Sequence, residues 1–360
     1  MRGFLDLQRI DFVLLGSTLA LTGMGILVIR SATADGNFAA YPGRQAYWLA
    51  IALAAYFIGY FVDRRHLQRG AYGFYWVIFA VLLGLAVAGK WIGGVQRWVH
   101  AGGLTFQPSE LAKLALILAL ARHFSRRKSS PPYGLEEIVV PLLLVAGFAI
   151  PVALQPDLGT AMFLVLISGI VILFVGVRWS TLIVLVVGAA AAAPSLFFTL
   201  KDYQRDRILS FLNPGRDPLG TGYHVVQSKI AIGSGGLFGK GFQQGTQSQL
   251  RFIPEQHTDF IVSVLAEEFG FVGVLLMLGL LLFLTLYLFS YIEFTKTRFS
   301  MIVIVGITSA FAIQAAINIA MAAGMLPVVG LPLPLLSYGG SSLESTYLGF
   351  GIIAGYKRRR

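Results

Sequence analysis

Ten long apolar stretches constrain this chain more than any motif does. They cover about 11–29, 46–62, 72–90, 110–125, 137–154, 157–177, 180–200, 260–289, 301–323 and 341–356. A helix needs roughly 20 mostly apolar residues to cross a bilayer's hydrocarbon, so the pattern predicts an all-α polytopic membrane protein with ten transmembrane helices. Residues 1–360 then form a single transmembrane domain. Lys113 and Arg122 interrupt the fourth stretch, and the second and tenth are short. Arg2 and Arg9 before the first stretch and Ala32-Thr33-Ala34 after it outline a secretory signal. Its apolar core exceeds the ~7–15 residues of a signal core, so it reads as an uncleaved span.

Composition agrees: 56% of residues are apolar and 12% charged, against about 45–50% and about 25% in soluble domains. This excludes a soluble cytosolic enzyme, a disordered chain and a nucleic-acid-binding domain. The net charge of +11 belongs instead to loops. With ten spans both termini share one side. One set of connections then holds Arg2, Arg9, Arg64, Arg65, Arg69, Arg122, Arg126, Arg127, Lys128, Arg178, Lys296, Arg298 and the run Lys357 to Arg360. The other short connections hold only Arg30, Arg44, Lys90, Arg97 and Lys113. The positive-inside rule puts both ends in the cytoplasm, which leaves 201–259, between spans seven and eight, as an extracytoplasmic loop, long and patterned enough to carry part of a functional site. No nucleotide is available on that face, so an enzyme there needs a donor that arrives activated, such as a lipid-linked diphosphate. The chain has no cysteine and five scattered histidines, which excludes thiolate chemistry and gives no zinc spacing.

The outer loop contains Gly233-Ser234-Gly235-Gly236-Leu237-Phe238-Gly239-Lys240-Gly241. It fails the Walker pattern at Ser234 and Gly241 and the dinucleotide pattern at Phe238. Two readings stand: exposed amides with Lys240 cradling a diphosphate, or a flexible turn between interfacial helices. Directly before span eight lies Phe252-Ile253-Pro254-Glu255-Gln256-His257-Thr258-Asp259-Phe260. From Phe260 to Phe289 is 30 residues, ~45 Å of helix against ~30 Å of hydrocarbon, so this helix protrudes or tilts. Helical spacing puts Asp259, Ser263 and Glu267 on one ridge. Asp259 at the rim suits a general base with tuned ionisation, or else a cap or ion-pair partner; Glu267 and Glu268 read as structural partners inside the bundle.

Three further clusters carry polar groups. Arg97-Trp98 precedes Gln107-Pro108-Ser109-Glu110, with Lys113 one turn on; Glu110 and Lys113 share a helix face. That pair either orients a diphosphate through Lys113 or pins span four to its neighbours, while Trp98 is a cavity residue or an interfacial belt residue. Gln155-Pro156-Asp157-Leu158-Gly159 opens span six, with Asp157 as a helix-start charge near the same face. Pro327-Val328-Val329-Gly330-Leu331-Pro332-Leu333-Pro334 breaks any helix, and irregular backbone at that depth must be covered by protein or water. Ser341 and Glu344 then fit a capping box for span ten.

Together, Pro254-Glu255-Gln256-His257-Thr258-Asp259-Phe260, Gln107-Pro108-Ser109-Glu110, Gln155-Pro156-Asp157-Leu158-Gly159 and Ser337-Tyr338-Gly339-Gly340-Ser341-Ser342 occur in the order typical of the SEDS (shape, elongation, division and sporulation) family. The resemblance spans essentially the whole chain. Gly245-Thr246-Gln247-Ser248-Gln249 and Pro327-Val328-Val329-Gly330 resemble the RodA (elongation) branch more than the FtsW (division) branch. The resemblance implies a peptidoglycan glycosyltransferase of the bacterial cytoplasmic membrane. Such an enzyme polymerises lipid II on the outer face into β-1,4-linked strands, releases undecaprenyl diphosphate, and works with a class B penicillin-binding protein. It implies that Asp259 is the essential acid and that Glu110, Lys113, Arg97, Trp98 and Asp157 line the cavity; Lys240, Glu255 and His257 join them as substrate-binding candidates. A divalent cation, Mg or Mn, is one candidate for meeting the leaving group's charge, beside Lys113, Arg97 and Lys240. Two rivals are a lipid II flippase, which inverted internal symmetry would favour, and a non-catalytic membrane scaffold for the transpeptidase, which would not require an intact acidic motif.

Overall fold

The computed structural model describes residues 10–33, 40–92, 97–101, 104–212 and 221–358. Arg2, Arg9, Ala34 and the last two arginines, all used in the sequence reading, lie outside these residues. The expected apolar stretches fall in α1 (Phe12–Ala32), α2 (Tyr41–Phe61), α3 (Arg64–Ile92), α4 (Pro108–Arg126), α5 (Leu135–Leu154), α6 (Leu158–Val175), α7 (Trp179–Thr199), α11 (Ile261–Ser290), α12 (Arg298–Ala322) and α13 (Gly340–Arg358). Within residues 201–259 lie α8 (Asp202–Leu212), α9 (Thr221–Ser234) and the short α10 (Thr246–Gln249). Among the described residues, α1, α3, α5, α6, α11 and α12 are long and apolar enough to cross a membrane. The chain is a helical, multi-pass membrane protein.

Two of the less apolar helices, α4 and α13, are largely buried in the protein. In α4 nearly every residue from Pro108 to Ala121 is buried, Glu110 and Lys113 included. The pair α2 and α13 meets backbone to backbone: a Cβ at Gly351 would run into the Tyr56 carbonyl, and one at Gly59 into the Leu348 carbonyl. Small residues supply such close approach in membranes, where hydrophobicity alone does not drive helices together.

At one end of the bundle Asp11 caps α1 through Val13 N and Leu14 N. It also accepts hydrogen bonds from Tyr287 and Tyr291 and pairs with Lys357 at 2.6 Å. The starts of α1 and the ends of α11 and α13 therefore share a face.

The excess length of α11 is resolved by a break at Gly270, where φ is 64° and ψ −161°. Its freed backbone groups bond the glycine-rich run: Lys240 N and Gly241 N donate to the Glu267 and Glu268 carbonyls at 3.0 Å each. Phe271 N and Val272 N donate to Gly236 and Leu237 at 2.9 and 3.1 Å. Any Cβ at Gly235 or Gly239 would collide with α11 backbone. The run is neither an open cradle nor a flexible turn; its glycines permit packing against a broken helix. Glu267 also accepts from Gln247 N and Ser248 N, and Glu268 from Ser31, so both acids are structural as expected.

Two local expectations are corrected. Asp259 precedes α11, whose cap position is Phe260, so Asp259, Ser263 and Glu267 form no common ridge. The proposed Ser341–Glu344 capping box is absent: α13 begins at Gly340, and the Ser341 hydroxyl accepts from Gln107 N at 2.9 Å. That bond fixes the short hairpin β1 (Val99–Ala101) and β2 (Leu104–Phe106), and with it the start of α4, against α13.

Candidate functional site

A cavity of about 700 Å³ opens among the ends of α4, α6, α8 and α13 and the turn before α11. The irregular Pro327–Pro334 strap forms another wall. Asp259, Glu255, His257, Arg97, Trp98, Glu110 and Asp157 all line it. A second, almost wholly apolar groove of about 620 Å³ lies alongside between α5, α6 and α12. The two share Leu158, Gly159, Met162, Pro327 and Val329 as walls.

Asp259 reaches the cavity through a tight turn. Glu255 sits at the left-handed φ of 49°, uncommon for a residue with a side chain. Its carbonyl accepts from Thr258 N, Asp259 N and Phe260 N at 3.1, 3.1 and 3.4 Å. The Asp259 backbone is held and its carboxylate caps nothing. Burial raises this carboxyl to about 6; the neighbouring Glu255 adds to the rise and Arg207 opposes it. Burial also lowers the His257 imidazole, against the pull of Glu255. His257 stacks edge-on against Tyr41, which lies flat on Tyr338 at 4.4 Å.

The remaining candidates divide. Arg97 donates to the Gln155 carbonyl at 2.8 Å and to that of Pro156, pinning the turn ahead of α6. Asp157 caps α6 through Thr160 N at 3.3 Å and accepts from Gln107 Nε2 at 3.4 Å. Lys113 does not line the cavity. It lies beneath, pairing with Glu110 at 2.6 Å and donating to Gln314 at 2.9 Å, with side-chain exposures of 8% for Lys113 and 6% for Glu110; pinning is the role this geometry provides. Lys240 is a correction: it is away from the cavity, donating to Glu267 at 2.8 Å and to Thr246 at 2.8 Å. A buried carboxylate across the kink captures it, which adjacency to glycines does not reveal.

A family model covering FtsW, RodA and SpoVE, described as a cell cycle protein, matches residues 12–360. The chain belongs to the SEDS family. Among SEDS relatives it is 42% identical over 352 residues to the peptidoglycan glycosyltransferase MrdB of Escherichia coli, covering 97% of this chain and 94% of that one. It is 37% identical over 316 residues to MrdB of Helicobacter pylori, covering 86% and 81%. A chain from a peptidoglycan synthase complex, studied for coordination of polymerization and crosslinking, superposes with a TM-score of 0.82 at 37% identity, covering 98% of both. The rod shape determining protein RodA of Thermus thermophilus does so at 0.72 and 31%, covering 98% and 97%.

Within this SEDS chain, sequence reasoning missed Arg207, which lines the cavity beside Gln204 and Ile208 and donates to the Val328 carbonyl at 3.3 Å. Gln204, Arg207 and Ile208 have the i, i+3, i+4 spacing of one helix face, a signal available in the loop sequence. Trp48 and Tyr338 also line the cavity. Among the described residues no three His, Asp or Glu side chains converge as a metal group. Mg is bound by one or two carboxylates together with substrate phosphates and waters; Asp259 and Glu255, both on the cavity wall, are donors of that kind, and a substrate diphosphate would have to complete such a site.

Proposed function

We propose that this chain is a peptidoglycan glycosyltransferase that polymerises lipid II into β-1,4-linked strands for cell elongation and shape. The observation that carries the reading is one carboxyl with a raised ionisation, Asp259, in a large cavity lined by several charged side chains that shares a wall with an apolar groove. The cavity suits sugars and a diphosphate; the groove suits a polyprenyl tail. The names of the SEDS relatives agree.

Transfer is inverting. Asp259 takes the proton of the acceptor sugar's 4-hydroxyl while that oxygen attacks C1 of the α-linked donor. The C1–O bond to the diphosphate breaks, undecaprenyl diphosphate leaves, and a β bond forms. A base of this kind supplies about 10²–10⁴-fold, so holding both substrates in line supplies much of the remainder. Arg207 faces the cavity and suits the leaving group's developing charge. Arg97 and Asp157 shape the wall; Glu255 tunes the base. Trp98 and His257 offer flat surfaces to sugar rings.

The chain crosses the bacterial cytoplasmic membrane ten times, both termini inside, with residues 201–259 and the cavity on the outer face. Its partner is a class B penicillin-binding protein, a transpeptidase that crosslinks the strands. The test is a gel assay for glycan strands from purified protein and lipid II, with and without the cognate transpeptidase. Wild type makes strands and Asp259→Asn makes none. Normal polymerisation by Asp259→Asn would refute the assignment of the base.

A further inference from the structure

The cavity floor is tied to α12 by two side-chain amides that the reaction scheme does not use. Gln314 and Asn318 lie one turn apart on one face of α12, and both are buried. Asn318 Nδ2 donates to the Leu331 carbonyl at 2.8 Å and to the carbonyl of Asp259 itself at 3.0 Å. Gln314 Nε2 donates to the Pro332 carbonyl at 2.9 Å, and its Oε1 accepts from Lys113 at 2.9 Å. One buried line of contacts therefore runs from Glu110 through Lys113 and Gln314 to the strap, and from the strap through Asn318 to Asp259.

The strap cannot supply these bonds itself. Pro332 and Pro334 have no N–H, so their segment's carbonyls need donors from elsewhere. Both partners of the Asn318 amide are carbonyl oxygens, which fixes its orientation: only the NH₂ can face them. That orientation leaves Asn318 Oδ1 buried with no partner among the described residues, an unfavourable arrangement that persists because the two donors are used.

We propose that Asn318 is a positioning residue for Asp259, holding the base's main chain to the strap, with Gln314 anchoring the strap to the Glu110–Lys113 pair. This rests on the glycosyl-transfer reading. The charged groups around Asp259 are Glu255 on its own turn and Arg207 on α8; Glu110 and Asp157 face the same cavity, and Lys113 adjoins Gln314.

The experiment is steady-state polymerisation of lipid II by the full chain with its transpeptidase, at several pH values, for wild type, Asn318→Ala and Asn318→Asp. Displacing a catalytic group by about 1 Å costs about 10²-fold, so Asn318→Ala should lose roughly ten- to a hundredfold in kcat with KM within about twofold. Asn318→Asp keeps the shape, but its ionised carboxylate has no donor to offer. Its rate should rise as Asp259 ionises and then fall as the introduced carboxyl ionises, where the wild-type rate reaches a plateau. A role in packing alone predicts a wild-type pH profile for Asn318→Asp, and that result overturns the proposal, as does Asn318→Ala with kcat within twofold of wild type. If Asn318→Ala fails to fold, the Asn318→Asp profile decides. Wild type making no strands overturns the glycosyl-transfer reading, and this inference with it, whereas active wild type with unaffected variants overturns the inference alone.

Discussion

Lowering the pH should silence polymerisation well before the protein unfolds. A base must be ionised to accept a proton, and Asp259 titrates near 6 rather than at its ordinary 3.8. With a midpoint of about 6, roughly nine-tenths of the carboxyl is ionised at pH 7 and one-tenth at pH 5, so the rate should fall about tenfold between them. At the ordinary value the loss would be under about a tenth. Two substitutions move the midpoint in opposite directions. Glu255→Gln removes a neighbouring negative charge and lets Asp259 ionise at lower pH; Arg207→Gln removes the opposing positive charge and raises the midpoint. The assay is initial strand synthesis between pH 5 and 8 at saturating lipid II, with thermal melts at each pH as a control on folding. Normalising each profile to its own plateau separates the midpoint from any loss of substrate binding by Arg207→Gln. A flat wild-type profile to pH 5, or midpoints that move together, would refute the reasoning.

Other substitutions test the placement of the lysines and glycines. Lys240→Ala should leave KM for lipid II within about twofold, because the residue is away from the cavity, while costing about 2 kcal/mol through the lost charged hydrogen bond to Glu267, read as a lower Tm. Lys113→Met strands Glu110 in a buried site and should cost about 3–5 kcal/mol; a melt unchanged from wild type would argue against a buried pair. Gly351→Leu should prevent α2 and α13 from meeting, since even a Cβ collides with the Tyr56 carbonyl; recovery of a monodisperse, wild-type-like protein would contradict that packing.

The helices were readable because a bilayer forces long apolar runs, and the strap because three prolines cannot be helical. Most cavity residues also declared themselves as polar groups at span ends. Some of what escaped had no local mark. Gly270 looks like any glycine in an apolar run, and only the backbone of the 235–241 segment against it turns it into a break. Lys240 beside glycines resembles an anion site until Glu267 is seen opposite. Arg207 did carry a mark, its i, i+3, i+4 spacing with Gln204 and Ile208 on one helix face. Gln314 and Asn318 were legible in principle, since two amides at i, i+4 in a span signal interhelical bonding, but their partners lie in the strap and in Lys113.

The shared wall between the cavity and the apolar groove has a consequence for kinetics. A substrate anchored by its tail reaches this opening by diffusing in the plane of the bilayer. Its apparent KM is then a mole fraction of the surface, so adding detergent or inert lipid at constant bulk lipid II should slow the enzyme as dilution would.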